Sequence, residues 1–103
     1  MVSSKFKKLE TVFQEMYALI MQIEDGKFVK PLTPNKVESI KLDFAVLKGR
    51  ASRLIKSYLV LNPFTVEKRI LEEIAAGLKR LESVNTQYAP AIMTALIKKL
   101  REF

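Results

Sequence analysis

The chain contains no histidine and no cysteine in its 103 residues, and these two absences exclude more chemistry than anything present. Without histidine there is no imidazole general base and no Ser-His or Cys-His nucleophile pair. Without either residue, a zinc site built on imidazole or thiolate is excluded. No disulfide framework can form, which fits a reducing compartment. Acids are also scarce, 11 Asp+Glu against 18 Lys+Arg, so an enzyme would be confined to carboxylate-and-magnesium chemistry. The adjacent acids Glu24-Asp25 and Glu72-Glu73 fall in helical patterns, where neighbouring side chains point about 100° apart and do not converge on one ion. The expectation is a protein that is not an enzyme, with no cofactor and no metal. Long hydrophobic runs are missing too. No apolar stretch approaches the ~18–20 residues of a membrane span, and the opening MVSSKFKKLE meets charge too soon for a secretory segment. These features predict a cytoplasmic protein without a membrane partner. Walker A and Rossmann glycine patterns are absent, as is a helix-turn-helix glycine turn. That argues against a sequence-specific repressor.

What is present describes a folded helical protein. Hydrophobic residues make up 49% and charged residues 28% of the chain, unlike a disordered tail. A chain of this length makes one domain, residues 1–103, and buries roughly 65% of its unfolded surface without staples. The net charge of +7 speaks about partners and leaves the fold open. Nucleic acid, an anionic membrane surface, an acidic protein and plain solubility are the four explanations.

Four helical segments are legible and no strand is. The first follows Ser3 or Ser4 as N-cap, with Phe6, Leu9, Phe13, Met16, Ile20 and Ile23 on one stripe and Gly26 as its stop. Phe28, Val29 and Leu32 of the next loop are expected to fold over one end of the core. Thr33-Pro34 then supplies an N-cap and a proline at the first helical position. The second helix runs to Asn62-Pro63, with Val37, Ile40, Phe44, Leu47, Ala51, Leu54, Tyr58 and Leu61 inward. Asn62 or Thr65 caps the third, which continues to about Val84. Gly77 inside it costs up to ~1 kcal/mol in propensity, a cost tolerated where another helix must approach closely. A break or kink falls between Val84 and Pro90, so the third and fourth segments are either separate or one helix broken near Pro90. The last runs from Pro90 to about Arg101. Short connections imply antiparallel neighbours. The predicted fold class is all-α, a small antiparallel bundle of about four helices.

Charge is unevenly distributed among these segments. Lys68 and Arg69 precede Glu72 and Glu73 by four residues, the spacing of a solvated, internally paired face. The second helix instead carries Lys36, Lys41, Lys48, Arg50, Arg53 and Lys56 against Glu38 and Asp43 alone. At 100° per residue, Arg53 and Lys56 lie nearly opposite the core stripe, with Lys41, Lys48 and Arg50 flanking. Such cations suit a phosphate backbone; a solvated helix face is the plain alternative. Leu42, Val46 and Val60, with Gly49 between them, form a second apolar line facing outward. It is expected to meet another copy or subunit, or else to be covered by the fourth helix or the Phe28 loop. The tyrosines and phenylalanines fall mostly on inward stripes, so base readout is expected to be slight.

Two stretches resemble the helical small subunit of type III-A CRISPR effector complexes. One is Ser4-Lys5-Phe6-Lys7-Lys8-Leu9, continuing through Phe13, Tyr17 and Ile23. The other is Ile40-Lys41-Leu42-Asp43-Phe44-Ala45-Val46-Leu47-Lys48-Gly49-Arg50, in which Lys41, Ala45, Gly49 and Arg50 match the family pattern. Asp43 and Val46 depart from it, and the family's C-terminal aromatic/acidic signature is hardly visible in residues 94–100. The resemblance implies a non-catalytic subunit that stacks with other protein subunits along a ribonucleoprotein, with Lys41 and Arg50 as basic contacts. Charge and facing add Lys48, Arg53, Lys56, Lys5 and Lys8. The expected function is therefore nucleic-acid backbone binding within a self-associating antiviral complex, RNA ahead of DNA. The alternative is a helical adaptor that self-associates and binds acidic protein partners without nucleic acid.

Overall fold

The four apolar periodicities become four α-helices: α1 (Lys7–Phe28), α2 (Pro34–Leu61), α3 (Val66–Arg80) and α4 (Ala89–Leu100). The computed structural model describes residues 6–28, 30–61 and 66–103, except for the side chain of Phe28. Among the described residues there is no strand. Helix α1 packs on α2 and α4, and α3 packs on the same two. Phe6, just before α1, meets Tyr58 near the end of α2, and Gly26 near the end of α1 shares a hollow with Val37 near the start of α2. Glu73 meets Lys99 and Gly77 meets Leu96 across α3 and α4. Neighbours therefore run antiparallel in an up-down-up-down bundle. Helix α2, about 42 Å long by its rise per residue, spans nearly the whole 46 Å long axis.

The core is wholly apolar: no polar or charged side chain is buried among the described residues. Phe6, Phe13 and Met16 of the α1 side, Ile40, Phe44 and Ile55 of α2, Leu71 and Ile74 of α3 and Met93 of α4 fill it. At one end Phe103 stacks on Phe6 with ring centroids 4.3 Å apart, and Tyr58 meets Phe6 edge-on at 4.9 Å. The α2 N-terminus forms as its sequence dictates. Thr33 Oγ1 accepts from the Lys36 N–H at 3.2 Å, and the Thr33 carbonyl accepts from Val37. The first contact satisfies one orphan donor of the first turn, and the second is the first intrahelical bond.

Several boundaries differ from expectation. Gly26 does not end α1, which continues to Phe28, and no glycine has positive φ. Its lack of a side chain serves packing instead: a Cβ there would stand 2.9 Å from Leu32 Cγ. Leu32 does fold back on the core, whereas Val29 and the Phe28 side chain lie outside the described residues. Ser3, Ser4, Asn62 and Thr65, the other proposed caps, lie outside them too, as does Pro63. Helix α3 ends at Arg80 instead of Val84. Beyond it the Ser83 N–H is taken by Thr86 Oγ1 at 2.9 Å, and the Leu81 N–H by the Leu78 carbonyl. A side chain that captures a backbone donor in this way competes with helix continuation. Leu81 and Val84 nevertheless remain buried, now from a turn. Helix α4 begins at Ala89, so the α3–α4 segment is two separate helices, with Pro90 inside the first turn.

Along α2 the predicted inward stripe holds from Val37 to Tyr58, each residue in the core or packed against it, but Leu61 is 74% exposed and Ile55, outside the predicted stripe, is buried. The predicted stripe is a strict seven-residue repeat, and a straight helix drifts from such a repeat by about 20° per heptad, or about 70° between Val37 and Leu61. Leu61 is thus carried off the core side while Ile55 is carried onto it.

Candidate nucleic-acid interface

Some cations of the molecule are ion-paired: Lys27 with Glu24 at 3.1 Å, Lys68 with Glu72 at 3.7 Å, and Arg69 with Glu73 at 3.9 Å. Lys99 reaches Glu73 at 2.8 Å, and Arg101 reaches Glu10 at 3.6 Å. The i,i+4 spacing of α3 therefore forms the internally paired face expected of it. The Lys99 ammonium holds the Glu73 carboxyl below its ordinary range, first by its hydrogen bond and then by its charge, and Glu73 raises Lys99 in return. By contrast, none of Lys36, Lys41, Lys48, Arg50, Arg53 and Lys56 on α2 lies within 4.0 Å of a carboxylate among the described residues.

These α2 cations do not converge on one spot. Lys41 and the half-buried Lys48 face the α3–α4 side, where they share a hollow with Gly49, Ser52, Glu82 and Ser83. Arg50 lies on the other flank, over the α1–α2 groove with Glu15 and Asp43. Arg53 and Lys56 stand on the outer face with Ser57, Val60 and Leu61, and no acid lines that surface. Arg50, Arg53 and Lys56 form an i, i+3, i+6 row that climbs about 4.5 Å per step. That row crosses the outer face obliquely. Lys8 is exposed on α1 at the end of the bundle where Phe6 meets Tyr58, and Lys5 lies outside the described residues.

The second apolar line is real surface. Leu42 is 62%, Val46 58% and Val60 79% exposed, and neither α4 nor Leu32 covers them. Leu61, expected inward, stands beside Val60 on this surface, and Val66 at the start of α3 is exposed as well. The drift of a heptad repeat was the available signal for Leu61. Gly49 differs from expectation in one respect: the space above it already holds a neighbour of its own helix. A Cβ at Gly49 would lie 3.5 Å from Arg53 Nη1, an ordinary contact. Arg53 thus folds its guanidinium over the gap in the apolar line.

Tyr88 is the second residue the sequence reading misplaced. Tyr17 and Tyr58 are half-buried, as inward stripes require, but Tyr88 is 71% exposed in a left-handed backbone conformation. Its neighbour Pro90 signalled a break without saying which way the ring would point. Among the described residues no group of three or more acids is close enough to hold a metal ion, and no helix is long and apolar enough to cross a membrane. Compared with known protein families, curated proteins and solved structures, the chain matches none.

Proposed function

We propose that this chain is a non-catalytic, nucleic-acid-associated subunit of a cytoplasmic ribonucleoprotein, of the kind its sequence resembles in type III-A CRISPR antiviral complexes. The carrying observation is the concentration of unpaired charge on one helix: among the described residues α2 keeps six cations with no carboxylate partner, whereas Lys27, Lys68, Arg69, Lys99 and Arg101 are ion-paired. A polyanion gains the full field of such a helix, because no internal pair must first be broken. Arg50, Arg53 and Lys56 suit consecutive phosphates of one strand, and Lys41 and Lys48 serve a strand on the opposite flank.

The exposed line of Leu42, Val46 and Val60 favours a second role in the same helix, contact with a neighbouring subunit or a second copy. If that line and the cations together receive an acidic protein, the chain is an assembly adaptor instead. Filter binding of single-stranded RNA and DNA over a salt series separates the two. Three phosphate contacts on a single strand give a slope of log K against log salt of about −2. Negligible binding of either strand at low salt would remove the nucleic-acid reading and leave the adaptor.

A further inference from the structure

The turn joining α3 to α4 holds an aromatic ring where packing gives no reason for one. Among the described residues Tyr88 is the only non-glycine residue with positive φ (φ 61°, ψ 22°), a conformation unfavourable to any residue with a Cβ. Burial does not compensate it, since the ring is largely in solvent while Leu81, Val84 and Ala89 fill the core beneath. The turn itself is fixed. Ser83 N–H donates to Thr86 Oγ1 and Ser83 Oγ to Asn85 Oδ1 at 2.6 Å, and the Thr86 carbonyl accepts from Ala89 at 3.0 Å. The ring is therefore presented from a rigid base.

Tyr88 stands at the edge of a groove of about 540 Å³ between α3 and α4. Small residues dominate it, Ala76, Gly77, Ala91 and Ala95. Two cations line it. Lys99 is neutralised by Glu73, whereas Arg80 has no ion-pair partner among the described residues. The groove's uncompensated charge is thus positive, beside an open aromatic face. The same turn borders the α2 cations: Lys41 and Lys48 share their hollow with Ser83, a residue of the turn that carries Tyr88. Glu82 is the one acid lining that hollow.

We propose that Tyr88 and Arg80 form a second contact for single-stranded nucleic acid, the ring stacking on an unpaired base and the guanidinium taking an adjoining phosphate. The strand lies along the Lys41/Lys48 flank of α2 and crosses the turn to reach them. This rests on the nucleic-acid reading and adds to it a base contact that the cations alone do not supply. Stacking of this kind tolerates any sequence, because every base offers a π face.

The test compares a labelled single-stranded oligoribonucleotide with an abasic oligomer of equal length, by fluorescence anisotropy at low salt. The wild-type protein is expected to bind the base-bearing strand about tenfold more tightly. Tyr88→Gly removes that preference and leaves abasic binding unchanged, whereas Tyr88→Phe retains it. Glycine accepts the left-handed backbone, so Tyr88→Gly should also melt at a higher temperature than wild type. A merely structural tyrosine would not combine lower affinity with higher stability. Equal affinity of the wild type for both strands, or an intact preference in Tyr88→Gly, overturns the base contact and leaves backbone binding standing. Failure of the wild type to bind either strand overturns both.

Discussion

Alanine at Gly49 and alanine at Gly77 should have opposite effects on stability, although both glycines lie inside helices of similar composition. In each case alanine recovers about 0.5–1 kcal/mol of helix propensity and unfolded-state entropy. At Gly49 nothing opposes that gain, because the new Cβ meets only the mobile Arg53 guanidinium at 3.5 Å. At Gly77 the new Cβ would stand 2.6 Å from Leu96 Cδ2, and Leu96 is itself buried between helices. Displacing it is overpacking, which costs about 1–3 kcal/mol. The net expectation is a gain of about 0.5–1 kcal/mol for Gly49→Ala and a loss of about 1 kcal/mol for Gly77→Ala. For a chain of this size that separates the two melting temperatures by about 10 °C. Urea and thermal unfolding followed by circular dichroism would read the difference. Leu96→Val should partly rescue Gly77→Ala, with a coupling of at least about 0.5 kcal/mol in the double-mutant cycle. Equal stabilisation by both alanines would refute the close approach of α4 to α3. Destabilisation by both would refute the open outer face at Gly49.

Arg50→Gln with Arg53→Gln breaks no ion pair and should leave the melting temperature nearly unchanged. It should remove two of the three phosphate contacts of the Arg50/Arg53/Lys56 row, so that single-strand affinity at low salt falls and its dependence on salt becomes shallower. An unchanged slope would show these cations to be only solubilising. Leu42→Asp with Val46→Asp should lower the mass seen in size exclusion at high concentration while preserving helicity. Identical masses for variant and wild type would show that line to be irrelevant to self-association. Replacing Lys99 with methionine should move the Glu73 carboxyl titration upward, as followed by side-chain carboxyl NMR. Glu73 is depressed in the folded state, so its contribution to stability is present at neutral pH and disappears as pH falls through its lowered pKa. An unmoved titration would exclude Lys99 as the cause.

The sequence by itself determined the helices and their approximate order, because apolar spacing and the Thr33-Pro34 cap act within one turn of the residues that carry them. It also determined that six of the cations belong to α2, and that Leu42, Val46 and Val60 face away from the core. Other features depended on residues distant in the chain. Whether a cation is free depends on which acids other helices bring near it; that contact binds Lys99 to Glu73 and leaves Arg53 without a carboxylate among the described residues. Gly26 reads locally as a helix stop, yet its neighbour is Leu32, which returns only after the loop has turned. Leu61 reads as core until the slow rotation of the apolar stripe along a long helix is set against fixed partners. Tyr88 reads as one more inward aromatic until the Ser83–Thr86 turn fixes the backbone that aims it outward. Local chemistry chose the elements, and packing between them decided which side chains remained available to a partner.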